Sequence, residues 1–285
     1  MKNLKEHQTG IIAVVTAAIL WSSGGLFIKL ITLTPMQISF FRCSIAAITF
    51  AVIFRKKILQ YNLLTFVNSF FYAGVLIFYV IAMKTTTAAN AIFLQSTAPI
   101  YVLIFEPLLN KTKYEKSNIV TIIFCFLGMI LFFLGDLTPG QLEGNFFGLM
   151  SGIFFAALFL GMKKNDKKYQ QSSIFWGNIL VAIICLPFIF SIEQLNLSQL
   201  WMVSFLGVFQ IAIAYAFFSY GLKRVMAVEA SIISMIEPVL TPVWVFIGYG
   251  EIPATNAILG GIIILTAISV RTLQMGRALF GRKVS

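Results

Sequence analysis

Residues 10–31 read GIIAVVTAAILWSSGGLFIKLI, and the only charge in the stretch, Lys29, stands near its far end. A bilayer core about 30 Å thick is crossed by a helix of about 20 apolar residues, so this stretch is long enough to span. Nine more of the same kind follow at 35–54, 64–83, 88–109, 117–135, 144–162, 172–190, 200–221, 227–248 and 255–274. They take up most of the 285 residues, of which 59% are hydrophobic and 11% charged. Soluble domains carry roughly 25% charged residues, and the mean hydropathy here is +0.91. The expected fold is an all-α polytopic membrane protein of ten transmembrane helices, with the lipid bilayer as its solvent. No stretch remains for a nucleotide-binding domain, so an ATP-driven pump would need a partner chain.

The formal net charge of +11 would point to nucleic acid in a soluble protein. Its placement excludes that partner. One alternate set of connections holds Lys2 and Lys5; Arg55, Lys56 and Lys57; Lys111, Lys113 and Lys116; Lys163, Lys164, Lys167 and Lys168; Lys223 and Arg224; and Arg271, Arg277, Arg282 and Lys283. These are eighteen of the 21 basic residues, whereas the other set holds Lys84 beside Asp136, Glu143, Glu193 and Glu251. By the positive-inside rule both termini are expected in the cytoplasm and the number of spans is even. The first span is expected to serve as its own insertion signal, which in a bacterial cell places the chain in the inner membrane.

Cys43, Cys125 and Cys185 each fall alone in a span and read as packing residues, with no disulfide framework and no metal spacing. His7, the one histidine, lies in the polar N-terminal tail. A histidine-based catalytic or metal site is thereby excluded, and no cofactor is expected.

Shifted by 139 residues, the chain aligns Ala73, Phe78, Lys84, Ala88, Ala91 and Pro99 with Ala212, Phe217, Lys223, Ala227, Ala230 and Pro238. At a shift of 138, Gly10, Ala18 and Phe50 meet Gly148, Ala156 and Phe188. The lysine and proline pairs weigh most, because chance identities are common in apolar sequence. Two repeats follow, at 1–140 and 141–285, with five spans each. An odd number of spans inverts the second copy, and inverted repeats with a midplane site between them are a usual carrier architecture.

The run Ile19-Leu20-Trp21-Ser22-Ser23-Gly24-Gly25 with Lys29, the triplet Phe40-Phe41-Arg42, and the segment from Ala88-Ala89 to Pro99 resemble the drug/metabolite transporter superfamily. More narrowly they resemble its ten-helix branch of two EamA-type repeats. In the second half the resemblance continues through Ala227 to Pro238, Tyr249-Gly250-Glu251-Ile252-Pro253 and Gly260-Gly261, so it covers the whole chain. It implies a secondary transporter of amino acids, other metabolites, vitamins or drugs without choosing among them. The four-helix multidrug relatives carry a membrane glutamate in their first helix, and this first span has no acid. Their proton-for-cation mechanism therefore does not carry over directly.

An ionisable group at the centre of a span costs roughly 2.5–3.5 kcal/mol on the insertion scale, so it should face a cavity or a partner. Lys29, Arg42 and Glu237 are the three such groups. Lys29 either snorkels to the outer interface or touches substrate. Arg42 lies about 10 Å from the outer end of its span, at 1.5 Å per residue. It is either a structural ion pair or helix-carbonyl clamp, or an anchor for a carboxylate or phosphate. Glu237 is either a proton-titrating group that couples transport or one half of a fixed ion pair with Arg42 or Lys29. With Ser231, Ser234 and Thr241 it forms a polar stripe along one helix face. Pro99 and Pro238 remove matched backbone hydrogen bonds in the two halves, and paired helix breaks are the best sequence pointer to a carrier's site. Their plain alternative is a kink that shapes packing. Trp21, Tyr79, Gln95, Trp176, Asn178 and Tyr215 complete the candidate substrate-binding set. Any polar group among these can equally bond a neighbouring helix at about 0.6 kcal/mol. Gly148 and Gly152 form a GxxxG step suited to close packing, while Glu106 and Glu229 read as structural or inner-gate residues.

The function expected is secondary active export of a small polar metabolite, an amino acid or other carboxylate-bearing solute, by alternating access. Protons are the candidate coupling ion, and the chain is expected as a monomer or homodimer. A drug or organic-cation exporter is the rival, and in it Glu237 would contact the substrate. An enzyme would need a nucleophile, a metal cluster or a paired acid and base, and scattered acids with one tail histidine supply none. A receptor or channel subunit would leave the matched prolines and Glu237 unexplained.

Overall fold

A computed structural model describes residues 2–110, 116–131, 141–192, 195–222, 224–225, 230, 233–234 and 236–284. Every regular element among the described residues is helical. Apart from three short 3-10 turns, they are in chain order α1 (Lys2–Ser22), α2 (Gly24–Leu30), α3 (Pro35–Phe54), α4 (Leu63–Thr85), α5 (Ala88–Gln95), α6 (Ala98–Asn110) and α7 (Lys116–Leu131). The second half continues with α8 (Gln141–Lys164), α9 (Gln170–Cys185), α10 (Leu197–Phe205), a π-turn (Leu206–Ile213), α11 (Ala214–Leu222), α12 (Ile236–Tyr249) and α13 (Thr255–Val284). Seven helical runs are long and apolar enough to cross a membrane. Three shorter apolar helices, Lys116–Leu131, Ile236–Tyr249 and Thr255–Arg271, stand where the fifth, ninth and tenth spans are expected. The chain is a multi-pass membrane protein: Phe66, Phe70, Ile123, Phe124, Leu127 and Ile247 face outward from the bundle, and helices satisfy their own backbone groups in lipid.

Local chemistry sets the helix starts. Thr34 accepts from the backbone of Gln37, whose side chain accepts in return from the Thr34 backbone, a reciprocal cap in front of Pro35 at the first helical position. Asn62 and Thr65 repeat the arrangement ahead of α4, and Asn196 caps α10 through the Gln199 amide. Helix ends follow lipid less closely than the hydropathy does. The first helix begins at Lys2 instead of residue 10, and the last continues to Val284 instead of 274. Neither polar tail contains a proline, so nothing stops the helix where the apolar stretch ends.

Two expected spans are broken and a third is distorted. Span one divides at Ser23. There Ser22 and Ser23 turn their hydroxyls back to the carbonyls of Ile19 and Leu20, both at 2.7 Å, in competition with the helix. Span four divides at Ser96–Thr97, two residues before Pro99. Proline has no N–H for the carbonyl one turn earlier, and the Gln95 carbonyl oxygen faces Gly152 of α8. The π-turn interrupts span eight, and no hydropathy pattern marks it. Span nine is described as α12 and a few residues before it. Ser231 and Glu229 lie outside the described residues, and the expected repeat boundary at 140–141 falls at the edge of the undescribed 132–140.

The buried core has two main parts. One gathers Ile28, Ile38, Val80, Ile92, Leu94 and Ile264; the other gathers Phe50, Tyr72, Val181, Leu158 and Ile211. The three cysteines are free and buried within this packing. Connections also sort into two groups at opposite ends of the bundle. Asn62 bonds Asn165 at 2.8 Å and Ser172 bonds the Lys57 carbonyl at 2.9 Å at one end, where the basic connections after α3 and α8 lie. Lys29, Lys84, Asn145 and Glu251 meet at the other.

Candidate functional site

Between the broken spans lies a cavity in two joined parts. The wider chamber, about 340 Å³, is lined by Trp21, Gln95, Ser96, Pro99, Phe155, Phe159, Phe218, Ser234, Glu237 and Pro238 among others. It narrows into a pocket of about 60 Å³ bounded by Arg42, Leu76, Tyr79, Gln210 and Tyr215, and Trp21, Gln95, Phe155 and Glu237 border both parts. Pro99, Phe159, Phe218 and Ser234 put the chamber in the half of the bundle nearer the basic connections. Its walls are mainly apolar and include four aromatic rings, Trp21, Phe155, Phe159 and Phe218, while Arg42, Tyr79, Gln210 and Tyr215 border the narrow end.

Contacts with neighbouring helices hold some of the lining side chains. Gln95, the last residue of α5 before the break, donates from Nε2 to Ser151 Oγ at 2.8 Å. Ser151 in turn donates to the Val75 carbonyl at 3.1 Å, which ties α4, α5 and α8 together. Gly152 lets α8 approach so closely: a Cβ there would stand 2.8 Å from the Leu94 carbonyl oxygen. Trp21 packs edge-on against Tyr215, with centroids 5.2 Å apart, and against Phe218 at 5.0 Å. Opposite it, Thr241 and Trp244 of α12 bond the carbonyl and hydroxyl of Ser22 at 3.3 and 3.0 Å. The two halves of the chain therefore meet across the span-one break.

Arg42 is fully shielded from solvent. Its Nη2 donates to the Leu76 carbonyl at 3.2 Å, the helix-carbonyl clamp weighed above, while Nε and Nη1 have no hydrogen-bond partner. Tyr79 Oη is buried and equally unpartnered. Glu237 takes no ion pair or side-chain hydrogen bond among the described residues, so the fixed bridge to Arg42 or Lys29 is not formed. Ser234 satisfies itself through the Ala230 carbonyl at 2.9 Å.

Lys29, Trp176 and Asn178 stand apart from the cavity. Lys29 pairs with Glu251 at 2.7 Å, its side chain 10% exposed and that of Glu251 16%. Its Nζ also donates to the Thr86 carbonyl at 2.7 Å, and Lys84 Nζ donates to the Ile31 carbonyl at 2.5 Å. Each lysine thus caps the carbonyl end of the other's helix, where cations are favoured. The second Glu251 oxygen accepts from the Ala88 amide at the start of α5, at 2.5 Å. Thr86 and Asn90 bond Asn145 behind the pair. This clasp closes the end of the bundle away from the chamber. Asn178 donates to the Ile174 carbonyl at 2.9 Å and to Tyr72 Oη at 3.4 Å. Tyr72 packs edge-on against Tyr215, so Asn178 supports the cavity wall from behind. Trp176 packs on Phe175 at 5.3 Å.

Sequence reasoning overlooked Gln210, the polar residue of an otherwise apolar run, which the cost of polar groups in spans should have flagged. Phe155, Phe159 and Phe218 carried no signal among 29 phenylalanines. No group of three or more metal-ligating side chains occurs among the described residues.

The EamA-like transporter family matches the chain twice, over residues 8–134 and 142–273. An uncharacterized transporter of Archaeoglobus fulgidus is 31% identical over 195 residues, covering 67% of this chain and 70% of that one. The uncharacterized transporter YdfC of Bacillus subtilis is 27% identical and covers 90% and 89%. Human solute carrier family 35 member G1 is 23% identical over 92% of this chain and 78% of its own length. A solved crystal structure superposes with a TM-score of 0.66 at 16% identity, covering 95% of this chain and 99% of its own, a likeness of fold alone.

Proposed function

Because the chain belongs to the EamA-like transporter family, and is a transporter rather than an enzyme, we propose that it exports a small carboxylate-bearing metabolite, amino acids foremost, by alternating access. The observation that carries this reading is the narrow end of the cavity. There Arg42 keeps two unspent donors beside a space that a solute can enter. An arginine fork matches a carboxylate in two parallel hydrogen bonds, and the solute completes what the protein leaves open. Arg42 borders the pocket with no exposure to solvent, so contact requires neighbouring side chains to shift on loading.

Ten spans in two inverted halves accommodate this cycle, supported by the seven long and three short apolar helices and by two family matches in tandem. In this scheme the chamber opens toward the cytoplasm and the clasp lies outside, in the inner membrane of a bacterial cell, a sidedness that the basic connections support. A state loaded from the cytoplasm with its outer end shut is the first state of an export cycle. Glu237 is the coupling group in this scheme: it borders both parts of the cavity and holds no fixed partner among the described residues.

An organic cation is the second reading. The aromatic walls at Trp21, Phe155, Phe159 and Phe218 favour it, since such rings attract cations. Proteoliposomes separate the two. Arg42→Ala should lower carboxylate uptake about tenfold to a hundredfold, the worth of a charge-assisted hydrogen bond of about 1.5–3 kcal/mol, with Arg42→Lys intermediate. Unchanged carboxylate uptake in Arg42→Ala, together with loss of tetraphenylphosphonium uptake in Glu237→Gln, would establish the cation reading instead.

A further inference from the structure

The π-turn Leu206–Ile213 packs against α3 and the break in span one. It interrupts a run that is otherwise α-helical from Leu197 to Leu222. A π-turn fits an extra residue into a helical turn and is frequent at functional sites. The turn reads LGVFQIAI, and Gln210 is its polar residue.

Two glycines make room for it. Gly207 lets the turn lie against α3, because a Cβ there would stand 2.7 Å from the Arg42 carbonyl oxygen. Gly24 lets the amide lie over the break in span one, because its Cβ would stand 2.9 Å from Gln210 Nε2. The amide therefore borders the narrow pocket together with Arg42, Tyr79 and Tyr215. Gln210 Oε1 is buried with no hydrogen-bond partner, as are Arg42 Nε and Nη1. A buried acceptor without a partner is a cost that persists in a native site when a ligand completes it. The pocket lining thus holds donors without an acceptor at Arg42 and an acceptor without a donor at Gln210.

We propose that Gln210 is a specificity-determining residue, which accepts a hydrogen bond from an N–H group carried next to the carboxylate of the solute. The substrate class is then the α-amino carboxylates, and a carboxylate without a neighbouring donor is rejected because Oε1 stays unpaired. This rests on the carboxylate reading of Arg42.

The test uses the full-length protein in proteoliposomes. The probes are an equimolar mixture of L-valine, L-leucine, L-isoleucine, L-methionine and L-phenylalanine, and a matched mixture of the corresponding 2-oxo acids. The oxo acids keep the carboxylate and the side chain but lose the donor. Wild-type protein should take up the amino acids at least about tenfold faster. In Gln210→Met, amino-acid uptake should fall about tenfold further than oxo-acid uptake, whereas Gln210→Glu, a stronger acceptor, should keep the preference. Thermal midpoints of both variants check that the fold persists, and retained preference in Gln210→Glu distinguishes a lost acceptor from a disturbed turn. An equal preference in wild type and Gln210→Met, or no uptake of either mixture by wild type, overturns the proposal. If the preference is unchanged while uptake still depends on Arg42, the role of Gln210 fails and the carboxylate reading stands. If uptake does not depend on Arg42, that reading fails.

Discussion

Arg42 and Glu237 border the same cavity without bonding one another. A direct pair would neutralise both groups and remove the insertion penalty of roughly 2.5–3.5 kcal/mol that each carries at the centre of a span. Leaving them apart gives a solute two charged ends to meet. It also leaves the Glu237 carboxylate without a fixed charge partner among the described residues, as the proposed coupling role requires. Glu237→Gln should abolish uptake driven by a pH gradient while retaining solute exchange at equal pH, because a fixed neutral side chain still permits the conformational change. Proteoliposome flux with and without an imposed gradient checks this, and full gradient-driven uptake in the variant would remove the coupling role. Asn178 acts differently. It reaches the cavity through Tyr72 and Tyr215, so its substitution should alter affinity without altering coupling.

At the scale of elements, the two broken spans and the clasp divide the work. Gly152 admits α8 to the break between α5 and α6, with Thr97 Oγ1 and the Leu94 carbonyl oxygen within 3.0 Å of any added Cβ. Gly152→Val should cost about 1–3 kcal/mol through overpacking, read as a lowered thermal midpoint in detergent. Gly250 has φ +78°, a left-handed turn that presents Glu251 to the clasp and that other residues adopt at a cost. Within the clasp, removing one partner of a largely buried ion pair costs about 3–5 kcal/mol, whereas replacing both by apolar residues is often close to neutral. Lys29→Met should therefore loosen the closed end more than the double variant Lys29→Met with Glu251→Met. Deuterium uptake over residues 84–95 measures it, since the Ala88 amide donates to Glu251. Equal uptake in the single and double variants would show that the pair does not hold the end shut.

For the molecule as a whole, the separation of connections into two ends gives a topology test. A cysteine replacing Lys57, in the connection beside Asn62 and Asn165, should react with impermeant maleimide from the cytoplasmic side alone. One replacing Ile252, exposed beside the clasp, should react from the outside alone. The opposite labelling would reverse the sidedness and turn the export reading into import. Chamber and clasp lie toward opposite ends, so any cycle must open the clasp to release what the chamber loads. That requirement holds whichever solute is carried.

The chain's own pattern determined the membrane environment, the approximate positions of the helices and some of the residues that line the cavity. Apolar length, basic connections and polar groups in spans are each one-dimensional signals with a large energetic penalty behind them. Trp21, Arg42, Tyr79, Gln95, Pro99, Tyr215, Ser234, Glu237 and Pro238 were legible for that reason, and all border the cavity. Only the tertiary structure decided the partners. Lys29 looks like a site residue until Glu251, remote in sequence, is seen beside it. Asn178 looks like a ligand until Tyr72 takes its amide. The placement of Gln210 depends on an extra residue in one helical turn and on two glycines in different helices. Burial cost is a property of one residue and shows in sequence, whereas pairing is a property of two residues and a distance, which the fold alone supplies.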